Sequence, residues 1–529
     1  MGPRSQVVNR LFSRLDVFLM SMPPKALDDI VKNVSIELVK RSKKPTNTQE
    51  VLRFIGVVIL ATKFEFRCRK DLWSTTALSK YIPAPKFGST GIARDRFDDM
   101  WACFQTGNQP PERPDNLLSE AYRWLLVDGF VDRFNEHRAK FFSPSDRICV
   151  DESISQWYGQ GGYWINAGLP MYVAIDRKPE NGCEIQNSAC GRSGVMLRLK
   201  LVKTKEEEET HFKEDDTGLL HGTKVLKYLV EPWVMSDRIV CADSYFASIP
   251  AALELRRVGL RFIGVVKTAK KMYPMSYLSQ VRFATRGDRK GLLHYDNNVP
   301  AILAYCWMDR ERRYFVATAG SLNEGKPYDR FRWRQVDQTP DASPERVNLI
   351  VPQPEASEIY YDTCGKIDQH NRHRQKTLQI ERKLKTTNWA IRVNMTILGM
   401  IIVDTWLIWK GICGLTDADE DQKDFYTKLS EELIDNDVGR ARKSAGVSSP
   451  SNLSEVKSGV STHLTPTKRS RKDKPTQKYN NWCRVCRAYK TKWICSDCLT
   501  GDDAKEVWIC HSETGRACFA EHVTMCHND

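Results

Sequence analysis

The sequence predicts a mixed α/β protein built from several domains, and three observations lead to this prediction. The first 145 or so residues have the apolar spacing of helices, whereas the pattern from Arg147 onward alternates as in strands. A strand–helix–strand series follows between residues 238 and 266, and seven cysteines crowd into the last 50 residues. At 529 residues the chain is too long for one ordinary core, so roughly two to four domains are expected.

Composition and charge indicate a soluble, intracellular protein with an anionic partner. The net charge is +14 and the pI is near 9.0, which favours nucleic acid first and a membrane surface second. The longest apolar run, Met395 to Trp409, carries Asp404 and is shorter than the roughly 20 residues that cross a bilayer. The N-terminus has no secretory apolar run, so neither export nor a membrane partner is expected.

The N-terminal region, residues 1–145, is predicted to be helical. Thr48 to Lys63 has an apolar face after a Thr-rich start. Leu117 to Arg138 is a second predicted helix, interrupted only by Gly129.

Residues 146–267 are predicted to form the first part of an α/β core. Tyr172 to Ile175 and Gly194 to Val202 are predicted strands, and the acidic run Glu206 to Glu209 is predicted to be a solvated loop. The next predicted elements are a helix at Lys224–Trp233, a strand at Arg238–Ala242, a helix at Ile249–Val258 and a strand at Arg261–Val266.

The rest of the chain divides by composition. Residues 268–355 are predicted to be a β-rich insertion with a hairpin of Ala301–Trp307 and Arg313–Thr318, and residues 356–415 return to helix. Residues 416–478 are predicted to be an acidic segment and then a basic disordered linker. Lys468 to Lys478 contains six Lys or Arg, which favours a nuclear-import signal over a DNA-contacting arm or a merely solvated linker.

Residues 479–529 have the cysteine spacing of a zinc module. The spacing offers eight soft or borderline ligands, enough for two tetrahedral Zn²⁺ sites: Cys483, Cys486, Cys495, Cys498, Cys510, Cys518, His522 and Cys526. A cross-brace arrangement is expected, but the pairing stays open because His511 and His527 are rival ligands. Modules with this spacing include RING-like ligases, histone-tail readers and DNA-binding domains.

Three aspartates each close a short apolar run: Asp151, Asp243 and Asp368. A single aspartate in this position is more often a turn or a helix cap than a ligand. Three of them held together would instead make a hard oxygen site suited to Mg²⁺. Asp243 is predicted to lie at the carboxyl end of a strand, where sites on α/β sheets usually open.

The sequence motifs around these aspartates resemble those of the piggyBac transposase family. Asp151 and Glu152 match an Asp-Glu pair after a strand. The stretch from Asp243 through Ser248-Ile249-Pro250 to Lys267 matches the family's second block closely. The stretch from Tyr360 to Asp368, with the later Trp389 and its apolar helix, fits the third block. A cysteine-rich zinc module at the C-terminus also fits the family.

The resemblance implies a fold, a reaction and partners. The core would be ribonuclease H-like, with Asp151, Asp243 and Asp368 around two divalent ions, Mg²⁺ or Mn²⁺, for phosphoryl transfer. The region 1–145 would serve in dimerisation and DNA binding. The partners would be double-stranded DNA with terminal inverted repeats and TTAA targets, together with a second copy of the chain, in the nucleus.

Two departures from the family pattern leave an alternative open. A glycine of the third block is Lys366 here, and a further aspartate is Asn371, which offers a metal an oxygen but no charge. These residues favour the alternative of a domesticated, catalytically inactive DNA-binding or chromatin protein. A ubiquitin ligase or histone reader built on the zinc module would leave the three aspartates without a role.

Overall fold

The computed structural model describes most of the chain up to residue 438 and short pieces beyond it. The described ranges are 12–77, 79–157, 169–171, 173–174, 181–213, 218–267, 272–296, 299–334, 345–415, 419–438, 464–466, 481–483, 490–491 and 493–495. Contacts divide the chain into two units, Met1–Val438 and Gly439–Asp529.

The N-terminal region is helical, as the apolar spacing predicts. Its α-helices are α1 (Arg14–Ser21), α2 (Pro24–Lys40), α3 (Thr48–Ala61), α4 (Arg94–Cys103), α5 (Ser119–Trp124) and α6 (Asp128–Phe141), with short 3₁₀ turns at Arg69–Trp73 and Phe87–Thr90. Side-chain caps start two of them, because Ser13 and Asp16 form a capping box before α1 and Asn47 accepts from the Glu50 amide before α3. The buried aromatic rings of this region belong to the main core.

One mixed sheet organises the first unit. Its described strands are β1 (Arg147–Gln156), β2 (Val173–Ala174), β3 (Asn181–Cys190), β4 (Met196–Leu201), β5 (Ile239–Ala242), β6 (Arg261–Val266), β7 (Arg289–Asp296), β8 (Val299–Met308) and β9 (Arg312–Ala317). They lie in the order β2-β3-β1-β5-β6-β9-β8-β7, with β4 paired to β3. The central strands β1, β5 and β6 are parallel, and the pairings on either side are antiparallel.

Helices cover both faces of the sheet. The helices between the strands are α7 (Lys205–His211), α8 (His221–Val230), α9 (Ile249–Arg257) and α10 (Met275–Gln280), with a 3₁₀ turn at Glu231–Trp233. After a ribbon of β10 (Tyr328–Arg334) and β11 (Glu345–Val351), the chain forms α11 (Glu355–Cys364), α12 (Lys366–Arg372), a π-helical turn (His373–Leu378), α13 (Ile380–Lys383), α14 (Trp389–Cys413) and α15 (Gln422–Ile434). Neighbouring residues of β5 show the two layers, because Val240 joins the main core while Cys241 packs in a second cluster with Tyr360 of α11.

The strands predicted around Asp243 are confirmed, and so is the hairpin of β8 and β9. Strand β9 pairs with β6, so β7 to β9 extend the same sheet that holds the central strands.

Two local predictions are wrong. The acidic run Glu206–Glu209 is helical, because Thr204 and Glu207 form a capping box and three acidic residues lie in the positive first turn of α7. The single helix predicted at Leu117–Arg138 is two helices, α5 and α6, with a break at 125–127 before Gly129 rather than at it.

The apolar run near residue 400 is part of a longer helix than the sequence suggests. Helix α14 spans 25 residues, is capped by Asn388 and ends at Gly414 in the left-handed region. By length and composition alone it qualifies as a candidate membrane span, so the length argument from sequence does not hold. Of its most apolar window, 94% is buried inside the protein, which is the burial of a core helix.

In the second unit the structure describes only short strands: β12 (Leu464–Pro466), β13 (Asn481–Trp482), β14 (Lys490–Thr491) and β15 (Trp493–Cys495). Strand β12 pairs with β15, and β13 pairs with β14.

Candidate active site

Asp151 and Asp243 lie at the same level of two neighbouring parallel strands. Val150 of β1 is the register partner of Ala242 of β5, so the aspartate that follows each residue lies beside the other. Asp243 comes directly after β5, at the carboxyl end of the strand, as the sequence predicts. Asp151 does not end its strand, because β1 continues to Gln156 in its pairing with β3. The site therefore opens beside β1, at the point where β5 stops.

Backbone amides fix one oxygen of each carboxylate. The Tyr245 amide donates to Asp243 Oδ1 over 2.9 Å, and the Glu152 amide donates to Asp151 Oδ1 over 2.9 Å. The Tyr245 bond makes an aspartate turn at the end of β5, and the Phe246 amide also bonds to this carboxylate, so backbone amides orient the side chain.

Glu152 joins the two aspartates in an acidic cluster of three residues, Asp151, Glu152 and Asp243. Burial raises the pKa of Asp151 far above its ordinary value, together with a hydrogen bond to the Glu152 side chain and the charges of Glu152 and Asp243. Burial also raises the pKa of Asp243, reinforced by the Glu152 charge and opposed by the Tyr245 amide and Lys267. Both carboxylates are therefore short of compensating positive charge, which a proton or a cation would supply.

Asp368 lies on α12, a helix that packs against β1 and β3. Ile367 is buried beneath the helix, whereas Asp368 is exposed. The charges of Asp151 and Asp368 both help burial to raise the pKa of the Cys364 thiol to about 12, so both act on the same sulfur. Lys366 begins α12 and is half-buried.

The carboxylates of Asp151, Asp243 and Asp368 are oxygen donors of the kind that suits a hard divalent cation. Ionised carboxylate oxygens are the ligands that Mg²⁺ and Mn²⁺ prefer. Within the described part of the chain, no three or more His, Cys, Asp or Glu side chains form a ready-made metal site. Asp151 and Asp243 lie beside each other on neighbouring strands, and the charge of Glu152 acts on both, whereas Asp368 is exposed on a neighbouring helix.

Asn371, which the sequence predicts to offer a metal its oxygen, forms hydrogen bonds to the protein. Its Oδ1 accepts from Ser153 Oγ over 2.8 Å and from Arg374 Nη2 over 3.4 Å. Its Nδ2 donates to the Glu152 carbonyl oxygen over 3.3 Å. Both acceptor positions of the amide oxygen are therefore in use in this conformation.

Sequence reasoning did not assign a role to Glu152 or to Tyr245. The one feature of the sequence that could have indicated a role for Glu152 is its position directly after Asp151, at the end of an apolar run. Tyr245 is 53% exposed and its hydroxyl bonds to Gln186, the register partner of Glu152 on β3. No sequence pattern places the Tyr245 ring across β3, because that contact depends on the antiparallel register.

Most of the predicted zinc ligands lie outside the described residues. Cys483 follows β13 and is buried, and Cys495 is the last residue of β15. The remaining predicted ligands and their rivals fall outside the described ranges, namely Cys486, Cys498, Cys510, Cys518, His522, Cys526, His511 and His527. The basic run 468–478 falls outside them too, so the zinc sites and the import signal stay predictions.

Asp151→Asn is expected to raise the melting temperature of the metal-free protein at pH 8 by a few degrees. Because the native pKa lies above the ordinary value of 3.8, the native state holds a proton that the unfolded chain has lost, and stability falls as pH rises through that window. The asparagine has no such penalty, so its advantage should shrink towards pH 4. Thermal melts in EDTA across this pH range measure the effect.

Asp146→Asn is the matched control, since Asp146 precedes the opposite end of β1. A hydrogen bond from Arg192 lowers the pKa of Asp146, so its loss should leave stability unchanged or slightly reduced. A lower melting temperature for Asp151→Asn at pH 8 would contradict the assignment of an uncompensated acidic cluster.

Two comparisons with known proteins both indicate similarity to transposases. A family model described as "Transposase IS4" matches residues 14–406, which is more than half of the chain. Among solved structures, the chain is similar to a piggyBac transposase in a synaptic complex with hairpin DNA, with a TM-score of 0.60 and 17% identity over 95% of this chain and 97% of that one. The comparison with curated proteins gave no match. The mixed α/β fold and the resemblance stated from the sequence are thereby confirmed.

Proposed function

The chain belongs to the IS4-type transposase family and has the fold of a piggyBac transposase, and we propose that it cuts and joins DNA by metal-dependent phosphoryl transfer. Asp151, Asp243 and Asp368 are the proposed catalytic residues. The observation that carries the proposal is the pairing of Asp151 and Asp243 on neighbouring parallel strands, with both pKa values raised. A structural ion pair would have lowered those pKa values instead.

The protein's part in the reaction is to hold negative donors in place and to release a proton. Two divalent ions bound there would polarise the scissile phosphate and stabilise the entering and leaving oxygens. Amide bonds to one oxygen of Asp151 and of Asp243 orient each carboxylate before substrate binds. Because its pKa is raised, Asp151 holds a proton that must leave when a cation binds, so binding should tighten as pH rises.

In the proposed reaction, water attacks phosphorus at the element end, the bond to the 3′ oxygen breaks, and a free 3′-hydroxyl results. That hydroxyl then attacks a phosphorus of the opposite strand, whose bond to the flanking 3′ oxygen breaks. The step closes a hairpin on the element end and releases the flanking DNA with a free 3′-hydroxyl. The solved piggyBac complex holds hairpin DNA. Insertion at TTAA sites, action as a dimer, nuclear location and a DNA-recognising module with two Zn²⁺ at residues 479–529 complete the proposal.

A cleavage assay tests the proposed function. Purified full-length protein is expected to nick duplex DNA that carries its element's terminal repeats in the presence of Mg²⁺ or Mn²⁺, and to be inactive in EDTA. Scrambled ends of equal length provide the control. DNA binding that weakens with salt, without cleavage under either metal, would overturn the proposal in favour of a domesticated DNA-binding protein.

A further inference from the structure

The residue that departs from the family's acidic pattern forms a bridge between two elements of the active site. Asn371 lies on α12, one helical turn after Asp368, so both residues share a helix face. Its side chain spans to β1, where it contacts Ser153 Oγ and the Glu152 carbonyl oxygen. Glu152 follows Asp151, so this bridge joins the helix that carries one proposed catalytic residue to the strand that carries another.

The bonding pattern fixes how the amide must point. Arg374 Nη2 can only donate and the Glu152 carbonyl can only accept, so the amide oxygen faces Arg374 and the amide nitrogen faces the Glu152 carbonyl oxygen. Ser153 Oγ supports the same orientation, because it accepts from Asn187 Nδ2 and so has its own proton free for Asn371. If the amide were reversed, its nitrogen would face the Arg374 donor and its oxygen would face the Glu152 carbonyl oxygen.

This requirement explains why the position holds an amide rather than a carboxylate. An ionised aspartate has no donor, and one of its oxygens would lie against the Glu152 carbonyl oxygen. Asparagine has the same shape with one donor and one acceptor end, which the two sides of the bridge both need.

The surroundings make the bridge rigid. Ser153, Asn187 and Arg374 are almost completely buried. Arg374 also donates to the Ile154 carbonyl oxygen over 2.9 Å and pairs with Glu381. A π-helical turn at His373–Leu378 follows α12 directly, a rare geometry that is frequently found at functional sites.

We propose that Asn371 is a positioning residue: it fixes α12, and with it Asp368, against β1, and it is not a ligand of the metal. The proposal rests on the proposed function for its catalytic meaning, although the bridge itself can be measured without any reaction. It replaces the prediction from sequence that Asn371 offers its oxygen to a cation.

Hydrogen–deuterium exchange of α12 in the metal-free protein tests the bridge. Asn371→Ala and Ser153→Ala are each expected to speed exchange of the amides in 366–372 by about three- to tenfold, the net effect of losing one or two hydrogen bonds. The double variant should exchange no faster than Asn371→Ala, because both changes break the same bridge. Gln369→Ala, on the exposed side of the same helix, is the matched control and should leave exchange unchanged.

A Mn²⁺ titration by calorimetry separates positioning from ligation. Asn371→Asp should bind Mn²⁺ no more tightly than wild type and should exchange faster in α12, because its carboxylate repels the Glu152 carbonyl. Tighter Mn²⁺ binding by Asn371→Asp, or unchanged exchange in Asn371→Ala, would overturn the proposal. A wild-type protein that neither binds Mn²⁺ nor cleaves DNA would refute the proposed function alone, and the exchange data would still decide the role of Asn371.

Discussion

Asp243→Asn is expected to reduce metal-dependent DNA cleavage by at least about a thousandfold, because several kcal/mol of transition-state stabilisation depend on the cation site. The substitution keeps the shape of the side chain and an oxygen for the Tyr245 amide, so the turn after β5 should survive. What it removes is one negative charge from the acidic cluster. Single-turnover nicking at saturating Mn²⁺ measures the loss, and thermal melts confirm that the variant is folded.

Asp237→Asn is the matched control for that experiment. Asp237 precedes β5 as Asp243 follows it, so the two residues lie at opposite ends of the same strand. Asp237 is exposed and paired with Arg261, and an exposed ion pair contributes about 0–1 kcal/mol. The control should cleave as wild type does, and equal activity of Asp243→Asn and wild type would sink the assignment of the active site.

The sequence predicts the strands at the centre of this site well, since continuous apolar runs such as Val240 to Ala242 are short, buried and followed by a turn. It places Asp243 correctly for the same reason. Asp151 is misjudged because the polar residues after it, Glu152 and Ser153, look like the end of a strand. They stay in β1 because pairing with β3 supplies their backbone partners. The pairing register between these distant strands, which no local sequence pattern encodes, therefore explains why β1 continues beyond Asp151.

The helical part of the site was predicted in outline only. The segment from Asp368 onward is helical, yet the π-helical turn and the left-handed Gln379 interrupt it. Within that turn, Arg374 donates to the Ile154 carbonyl oxygen and pairs with Glu381, contacts that no local sequence pattern encodes. Likewise, Asn371 has an amide where the family pattern has a carboxylate, and its bonding partners on β1 lie more than 200 residues away in the sequence.

Among the residues of the described ion pairs, substitution of Asp404 is expected to lower the free energy of unfolding most. Asp404, Arg138 and His370 are all almost completely buried. Asp404 Oδ1 accepts from the Met196 amide over 2.8 Å and lies 3.2 Å from His370 Nε2. Arg138 Nη2 lies 3.0 Å from Asp404 Oδ2. Burial lowers the pKa of Arg138, and the charge of Asp404 opposes that effect.

Asp404→Asn should therefore cost about 3–5 kcal/mol of unfolding free energy, because it leaves a buried guanidinium without a counter-charge. Urea denaturation followed by tryptophan fluorescence measures the loss. Asp237→Asn serves as the exposed reference with an expected cost below about 1 kcal/mol, because asparagine tolerates the left-handed backbone at that position. A cost for Asp404→Asn as small as that of the reference would mean that the buried pair is dispensable.

The double variant Arg138→Met with Asp404→Leu separates charge burial from positioning. Apolar side chains of similar volume often replace a buried ion pair with little loss, so the double variant should regain most of the stability that Asp404→Asn loses. His370 would nevertheless lack its carboxylate partner, and His370 lies on α12 between Asp368 and Asn371. We expect the double variant to fold well and still cleave DNA more slowly than wild type, because α12 then keeps the Asn371 bridge but lacks the contact between His370 and Asp404. Full cleavage activity in a stable double variant would show that His370 and Asp404 stabilise the core without positioning the catalytic helix.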